Sequence, residues 1–323
     1  MMLTALANFL LTTTLLQMIP IDALDFERRA LSTEEIVPIS VHSAFSFSNA
    51  HLPMAKNINH APTKRKVNSI GVVTSARSAI VLDRTTGKIL FQKNIDEPRS
   101  IGSITKLMTA HVFLQSGADL DEEVSLFADD VRFGGVQHLS LGDTYSIREL
   151  LYASLVGSDN TATAALARLS HLSLGDFIAR MNEEAALIGM EHTRFVDPTG
   201  LSSKNQSVVY DLARLVDEAG KNDLIRTITQ TQNISIQAES GQVYELTNTN
   251  DLLANFINKP PYKIEAAKTG YLPEAGYCLS VLFSENNEHE IIVVVLGSQS
   301  DAERFQDAKA LASWVYETYQ WET

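Results

Sequence analysis

"YCLSVLFSENNEHEIIVVVLG", residues 277–297, sets two apolar runs on either side of a polar turn. Such a pair reads as a β-hairpin, because extended apolar runs pair across a polar turn. Just before it, "KIEAAKTG" (263–270) reads as another strand. Near the other end, "SAIVLDRTTGKILFQKN" (78–94) holds a second hairpin, Ala79 to Leu82 and Ile89 to Gln92, turning at Gly87. The middle has a helical period instead. "LGDFIARMNEEAALIGM" (174–190) and "SVVYDLARLVDEAGKNDLIRTI" (207–228) are amphipathic, and Ser146 and Glu149 have capping-box spacing before another apolar helix. Two short strands, "NISIQAES" and "QVYELTN", follow, and "DAERFQDAKALASWVYETYQW" (301–321) closes the chain as a helix. This order predicts an α+β fold: one antiparallel sheet assembled from both ends of the domain, flanked by helices, with an inserted helical lobe.

The chain has 323 residues, 45% hydrophobic and 20% charged, enough to bury a full core. A net charge of -13 with no Lys/Arg-rich stripe excludes nucleic acid as a partner. The single cysteine, Cys278, excludes an internal disulfide framework and a Cys-rich zinc site, and no His pair has zinc-protease spacing. On an apolar strand, Cys278 reads as a core thiol.

"MMLTALANFLLTTTLLQMIPIDALDF" is apolar from Leu3 to Ile19 and uncharged before Asp22. Residues 1–23 are expected to be an export signal cleaved after Ala23, or an uncleaved anchor making N-terminal membrane contact. The n-region departs from the usual pattern in lacking Lys and Arg. Residues 24–71 have no sustained period and read as a tether, leaving 72–323 as the folded domain. The domain is expected outside the cytoplasm, in a periplasmic setting.

"GSITKLMTAHVF" (102–113) contains the one S-x-x-K of the chain. Ser103 and Lys106, at i and i+3, share a helix face. A serine needs a base, and lysine is a base only when neutral, which requires burial to lower its pKa by several units. Taken alone, the pair equally describes a helix cap and a solvated lysine. Two later stretches bear on that choice. "GSDN" brings Ser158, Asp159 and Asn160 between two helical segments, about 55 residues on. "AAKTGY" brings Lys268, Thr269 and Gly270 at a strand end, about 110 further. Either is common by itself as a cap or a turn, but the ordered set S-x-x-K, S-D-N, K-T-G belongs to penicillin-binding proteins and class A β-lactamases.

With "PRSIGSITKLMTA", "RFVDPTGLS", "AAKTGYLPEAGYCLSV" and "RFQDAKAL", the chain from Ala76 to Trp321 resembles the low-molecular-mass penicillin-binding proteins, the D-alanyl-D-alanine carboxypeptidase and endopeptidase family. The resemblance implies a β-lactamase/transpeptidase-like fold and a serine DD-peptidase of peptidoglycan stem peptides. It implies no cofactor and no metal, and β-lactam antibiotics as covalent inhibitors. Ser103 would be the nucleophile and Lys106 its base, with Ser158 relaying the proton to the leaving amine. Asn160 would hold the substrate amide and order Lys106. Lys268 would supply positive charge, Thr269 would bind the substrate carboxylate, and the strand running through Gly270 would pair with the extended substrate. The oxyanion hole would be the N–H groups of Ser103 and Tyr271. Arg304 falls where some members carry a carboxylate-binding cation, and reads equally as a solvated helix arginine.

Within the family, many carboxypeptidases carry a further β-rich domain and a C-terminal amphipathic anchor helix, and this chain, reading "SWVYETYQWET" at its last residues, is expected to have neither. DD-endopeptidase is therefore the expected activity, with DD-carboxypeptidase the alternative. A β-lactamase would need a deacylating carboxylate, for which Glu184 to Leu187 is the nearest match. A non-catalytic penicillin-binding sensor would show a broken motif, and none is broken.

Overall fold

The computed structural model describes residues 60–322. The strands are β1 (Thr63–Lys64), β2 (Ser78–Asp83), β3 (Ile89–Lys93), β4 (Arg99–Ser100), β5 (Glu123–Ser125), β6 (Thr144–Ser146), β7 (Gln206–Ser207), β8 (Asn233–Gln237), β9 (Val243–Thr247), β10 (Tyr262–Leu272), β11 (Gly276–Glu285), β12 (His289–Ser298) and β13 (Tyr319–Gln320). The helices are α1 (Thr105–Leu114), α2 (Ile147–Leu155), α3 (Asn160–Leu169), α4 (Leu174–Leu187), α5 (Val209–Ala219), α6 (Asp223–Gln230) and α7 (Asp301–Thr318).

The expected sheet is present. Its order is β10-β11-β12-β2-β3, with every pairing antiparallel, so strands from both ends of the domain share one layer. Alternate residues of β12 serve two cores. Ile291, Val293 and Val295 pack with Phe305, Leu311 and Val315 of α7. Ile292, Val294 and Leu296 pack with Leu107 of α1 and Leu215 of α5. A sheet covered on both faces needs apolar residues at every position, which is why "IIVVVL" does not alternate. Each such fully buried side chain contributes about 1.5–3 kcal/mol of burial free energy.

Local signals end and begin the helices. The Ser146–Glu149 capping box forms, with the Glu149 N–H donating to Ser146 Oγ and the Ser146 N–H donating to Glu149. The stretch 207–228 is two helices, because α5 stops at Gly220 and Asn222 Oδ1 accepts the Leu224 and Ile225 N–H groups to start α6. The expected start of the domain at Val72 moves toward the N-terminus. β1 pairs with β13, and Trp314 donates to Ser69 Oγ at 2.7 Å, so residues 63–71 belong to the domain and not to a tether. The expected leader and residues 24–59 of the tether lie outside the described residues. Among the described residues, no helix is long and apolar enough to cross a membrane.

Candidate active site

Ser103 sits in a single 3-10 turn, Gly102–Ile104, immediately ahead of α1. In a 3-10 turn, side chains at i and i+3 eclipse, which aligns Ser103 with Lys106. Lys106 Nζ lies 2.9 Å from Ser103 Oγ. The turn is pressed against β10, one of the two edge strands of the sheet. Gly102 has a left-handed φ of 54°, and a Cβ there would meet the Tyr271 nitrogen at 2.7 Å. A Cβ on Gly270 would meet the Ile101 carbonyl at 2.3 Å. Only glycine permits that approach, and it brings the Ser103 turn against the Tyr271 peptide.

Lys106 is fully buried and makes two further hydrogen bonds, to Asn160 Oδ1 at 2.7 Å and to the Thr199 carbonyl at 2.7 Å. None of the three partners carries a charge. Burial lowers its pKa to about 7, against the pull of Asp159 and Asp197, which favour the charged form from farther away. With two N–H groups committed to fixed acceptors, the lone pair of the neutral amine faces Ser103 Oγ.

Ser158 and Asn160 are held at the start of α3. Asp159 caps the helix through the Ala162 N–H, and its other oxygen accepts the His138 and Leu139 N–H groups. Ser158 takes φ 58°, rare for a residue with a Cβ, and this strained turn directs its hydroxyl inward. Lys268 Nζ donates to Ser158 Oγ at 3.1 Å and to the Thr269 carbonyl at 3.3 Å. Lys268 is held well below the usual lysine pKa by burial, then by the charges of Lys106 and Arg304. Burial and these neighbouring charges disfavour the charged form, so a positive charge at Lys268 calls for a compensating anion. K-T-G was expected at a strand end, yet β10 continues through Leu272, and the motif is internal.

Ser103, Ser158, Asn160, Thr269, Gly270, Tyr271 and Arg304 all line one cavity of about 260 Å³. Lys106 and Lys268 sit directly beneath its hydroxyls. Arg304 is not a solvated surface residue: it is 7% exposed and donates to the Gly270 carbonyl at 3.2 Å. Among the described residues its buried Nε has no partner.

Two residues at the site, Thr249 and Thr199, carried no role in the sequence reading. Thr249 lines the cavity and bonds Thr269 Oγ1 at 2.6 Å, with no motif to mark it. Thr199 supplies the carbonyl for Lys106, in a turn that Asp197 organises by accepting the Thr199, Gly200 and Ser202 N–H groups. The D-P-T-G turn signal was the available clue. Glu184 is engaged elsewhere, with His111, Gln115 and Arg180, and does not line the cavity. Cys278 is a core thiol, fully buried with its pKa pushed up to about 11 by burial. Among the described residues, no cluster of His, Cys, Asp or Glu could hold a metal ion.

The family described as D-alanyl-D-alanine carboxypeptidase matches residues 63–300. The D-alanyl-D-alanine endopeptidase of Pseudomonas aeruginosa is 33% identical over 82% of this chain and 84% of its own length. The crystal structure of a Streptomyces DD-transpeptidase superposes with a TM-score of 0.71 at 29% identity, covering 77% of this chain and all of that one. A penicillin-binding protein of Listeria monocytogenes in its ampicillin-bound form gives a TM-score of 0.66 at 28% identity, covering 76% and 99% of the two chains.

Proposed function

Because the chain belongs to the D-alanyl-D-alanine carboxypeptidase family, we propose that it is a serine DD-peptidase of peptidoglycan stem peptides, acting mainly as an endopeptidase on D-alanyl crosslinks. The observation that carries this reading is a fully buried lysine, partnered only by uncharged acceptors, 2.9 Å from a serine that faces a cavity. Neutral Lys106 takes the proton of Ser103 as Oγ attacks the D-alanyl carbonyl. The N–H groups of Ser103 and Tyr271 stabilise the oxyanion, each typically contributing about 3 kcal/mol. Protonated Lys106 returns that proton by way of Ser158, which relays it to the departing amine, and water then hydrolyses the acyl ester and regenerates Ser103.

Beside the scissile amide, both a terminal D-alanine and a crosslinking residue present a carboxylate. Thr269 and Arg304 receive it, and its arrival favours the charged form of Lys268, which burial and the neighbouring cations otherwise disfavour. Asn160 bonds the substrate amide while fixing Lys106. A β-lactam enters by the same route as a strained cyclic amide and remains as a penicilloyl ester. Residues 1–23 act as leader or anchor and put the domain on the periplasmic side.

Labelled penicillin should attach to Ser103, and a Ser103→Ala protein that still labels would sink the assignment. Purified crosslinked muropeptides decide the activity. Dimer loss without free D-alanine supports the endopeptidase; D-alanine release from monomeric pentapeptide supports the carboxypeptidase.

A further inference from the structure

Next to the catalytic cavity lies a second hollow, of about 320 Å³, lined by Pro98, Arg99, Ser100, Ser203, Gln206 and Glu274. The two are joined along the chain: Glu274 follows Pro273, and Ser203 lies two residues past Leu201, both of which line the first cavity. Arg99 is four residues before Ser103, so their Cα atoms are at most about 14 Å apart.

The order of groups on β10 says which end of a substrate arrives there. Lys268 and Thr269 precede Tyr271, and the carboxylate of the departing residue is expected at that end. With the scissile carbonyl at Ser103 and Tyr271, the acyl half of an extended substrate leaves along Leu272, Pro273 and Glu274. The residue before the D-alanine in the acyl half is the stem's diamino acid, which has a long side chain. Its tip is either a bare ammonium or an ammonium and a carboxylate on one carbon.

The hollow offers one charge of each sign. Arg99 bonds the exposed Glu97 at 2.6 Å through one nitrogen, while its Nε is buried without a partner and its other terminal nitrogen lies against Gly297. Glu274 is exposed on the β10–β11 turn, and among the described residues it forms no ion pair. A bare ammonium would use Glu274 alone and leave the buried Nε of Arg99 still without an acceptor.

We propose that this hollow binds the zwitterionic tip of a diaminodicarboxylic acid in the acyl-donor stem, with Arg99 holding the carboxylate and Glu274 the ammonium. The proposal rests on the DD-peptidase reading and names the stem chemistry that reading leaves open.

The test uses synthetic crosslinked peptide dimers whose donor stem carries diaminopimelate with its free tip intact, carboxyl-amidated or N-acetylated. The intact tip should be cut about tenfold faster than the amidated one, as kcat/KM, the scale of one charge-assisted hydrogen bond. Arg99→Gln should collapse that ratio toward one. Glu274→Gln, on an exposed turn that tolerates it, should collapse the ratio of intact to N-acetylated tips, by roughly two- to fivefold for an exposed pair. Equal rates for all three dimers with the unsubstituted enzyme, or ratios unmoved by both variants, overturn the proposal while labelled penicillin still acylates Ser103. Loss of that acylation in the unsubstituted enzyme would instead be a failure of the DD-peptidase reading.

Discussion

The two halves of β10 treat buried charge in opposite ways. At its start, Glu265 is 3% exposed and is met by Arg226, by Lys263 at 2.8 Å and by Ser284 at 2.9 Å. Burial pushes its pKa up, but those donors outweigh burial and hold it below the usual carboxylate range. Three residues on, Lys268 is 1% exposed and, among the described residues, has only a serine hydroxyl and a carbonyl as partners, with two further cations nearby. The first arrangement is complete. The second lacks a negative charge, and in the reading above a substrate carboxylate provides it. A buried ionisable group whose partners are all on the protein serves the fold; one left uncompensated at a cavity is set up for a ligand.

Removing the uncompensated charge breaks the comparison most directly. Lys268→Met should lower the rate of penicillin acylation about 100- to 1000-fold, yet leave thermal stability unchanged or raised, because an unpaired buried amine is replaced by an apolar chain. A melting temperature lowered in step with activity would show that Lys268 is structural after all. Next in size is the pH response. Lys106 titrates at about 7 and acts only when neutral, so acylation should rise about tenfold per pH unit below 7 and level off above it. An acylation rate flat from pH 5 to 8 would remove Lys106 from the role of base.

The compensated half predicts the reverse pattern. Glu265→Gln strands Arg226 and Lys263, and should cost about 2 kcal/mol, seen as a fall of roughly 4–8 °C in the thermal midpoint, with acylation nearly retained. Acylation lost ahead of stability would erase the distinction between the halves. The smallest effect belongs to Cys278→Ala, which should cost about 1 kcal/mol by calorimetry through a small cavity and leave Ser103 labelling intact.

Much of the site was legible because it is written in local patterns. S-x-x-K needs only one turn to align its two side chains, and S-D-N carries its own cap in Asp159. Arg304 was legible as a position but not as a role, since a helix arginine exposes or buries its head according to what packs over it. Thr249 was not legible at all: it reaches Thr269 from a loop twenty residues away in sequence.

What the sequence determined by itself was the sheet with strands from both ends, the helical middle, and the three motifs in order. Apolar period and turn chemistry are local properties, and they survive without knowledge of the neighbours. What only the tertiary structure decided was the facing of β10. Its ladder runs from Ile264 opposite Phe283 to Ala266 opposite Leu282, so Glu265 is an extra residue in a bulge. Side chains on a strand alternate, and one extra residue moves all that follow to the other face. Ile264 therefore packs toward α7, while Ala266 joins the core of the helical lobe. Lys268, two residues beyond Ala266, shares that face and reaches Ser158. No alternation in "KIEAAKTG" announces the bulge, because it is set by the partner strand and by the ion pairs that hold Glu265 aside.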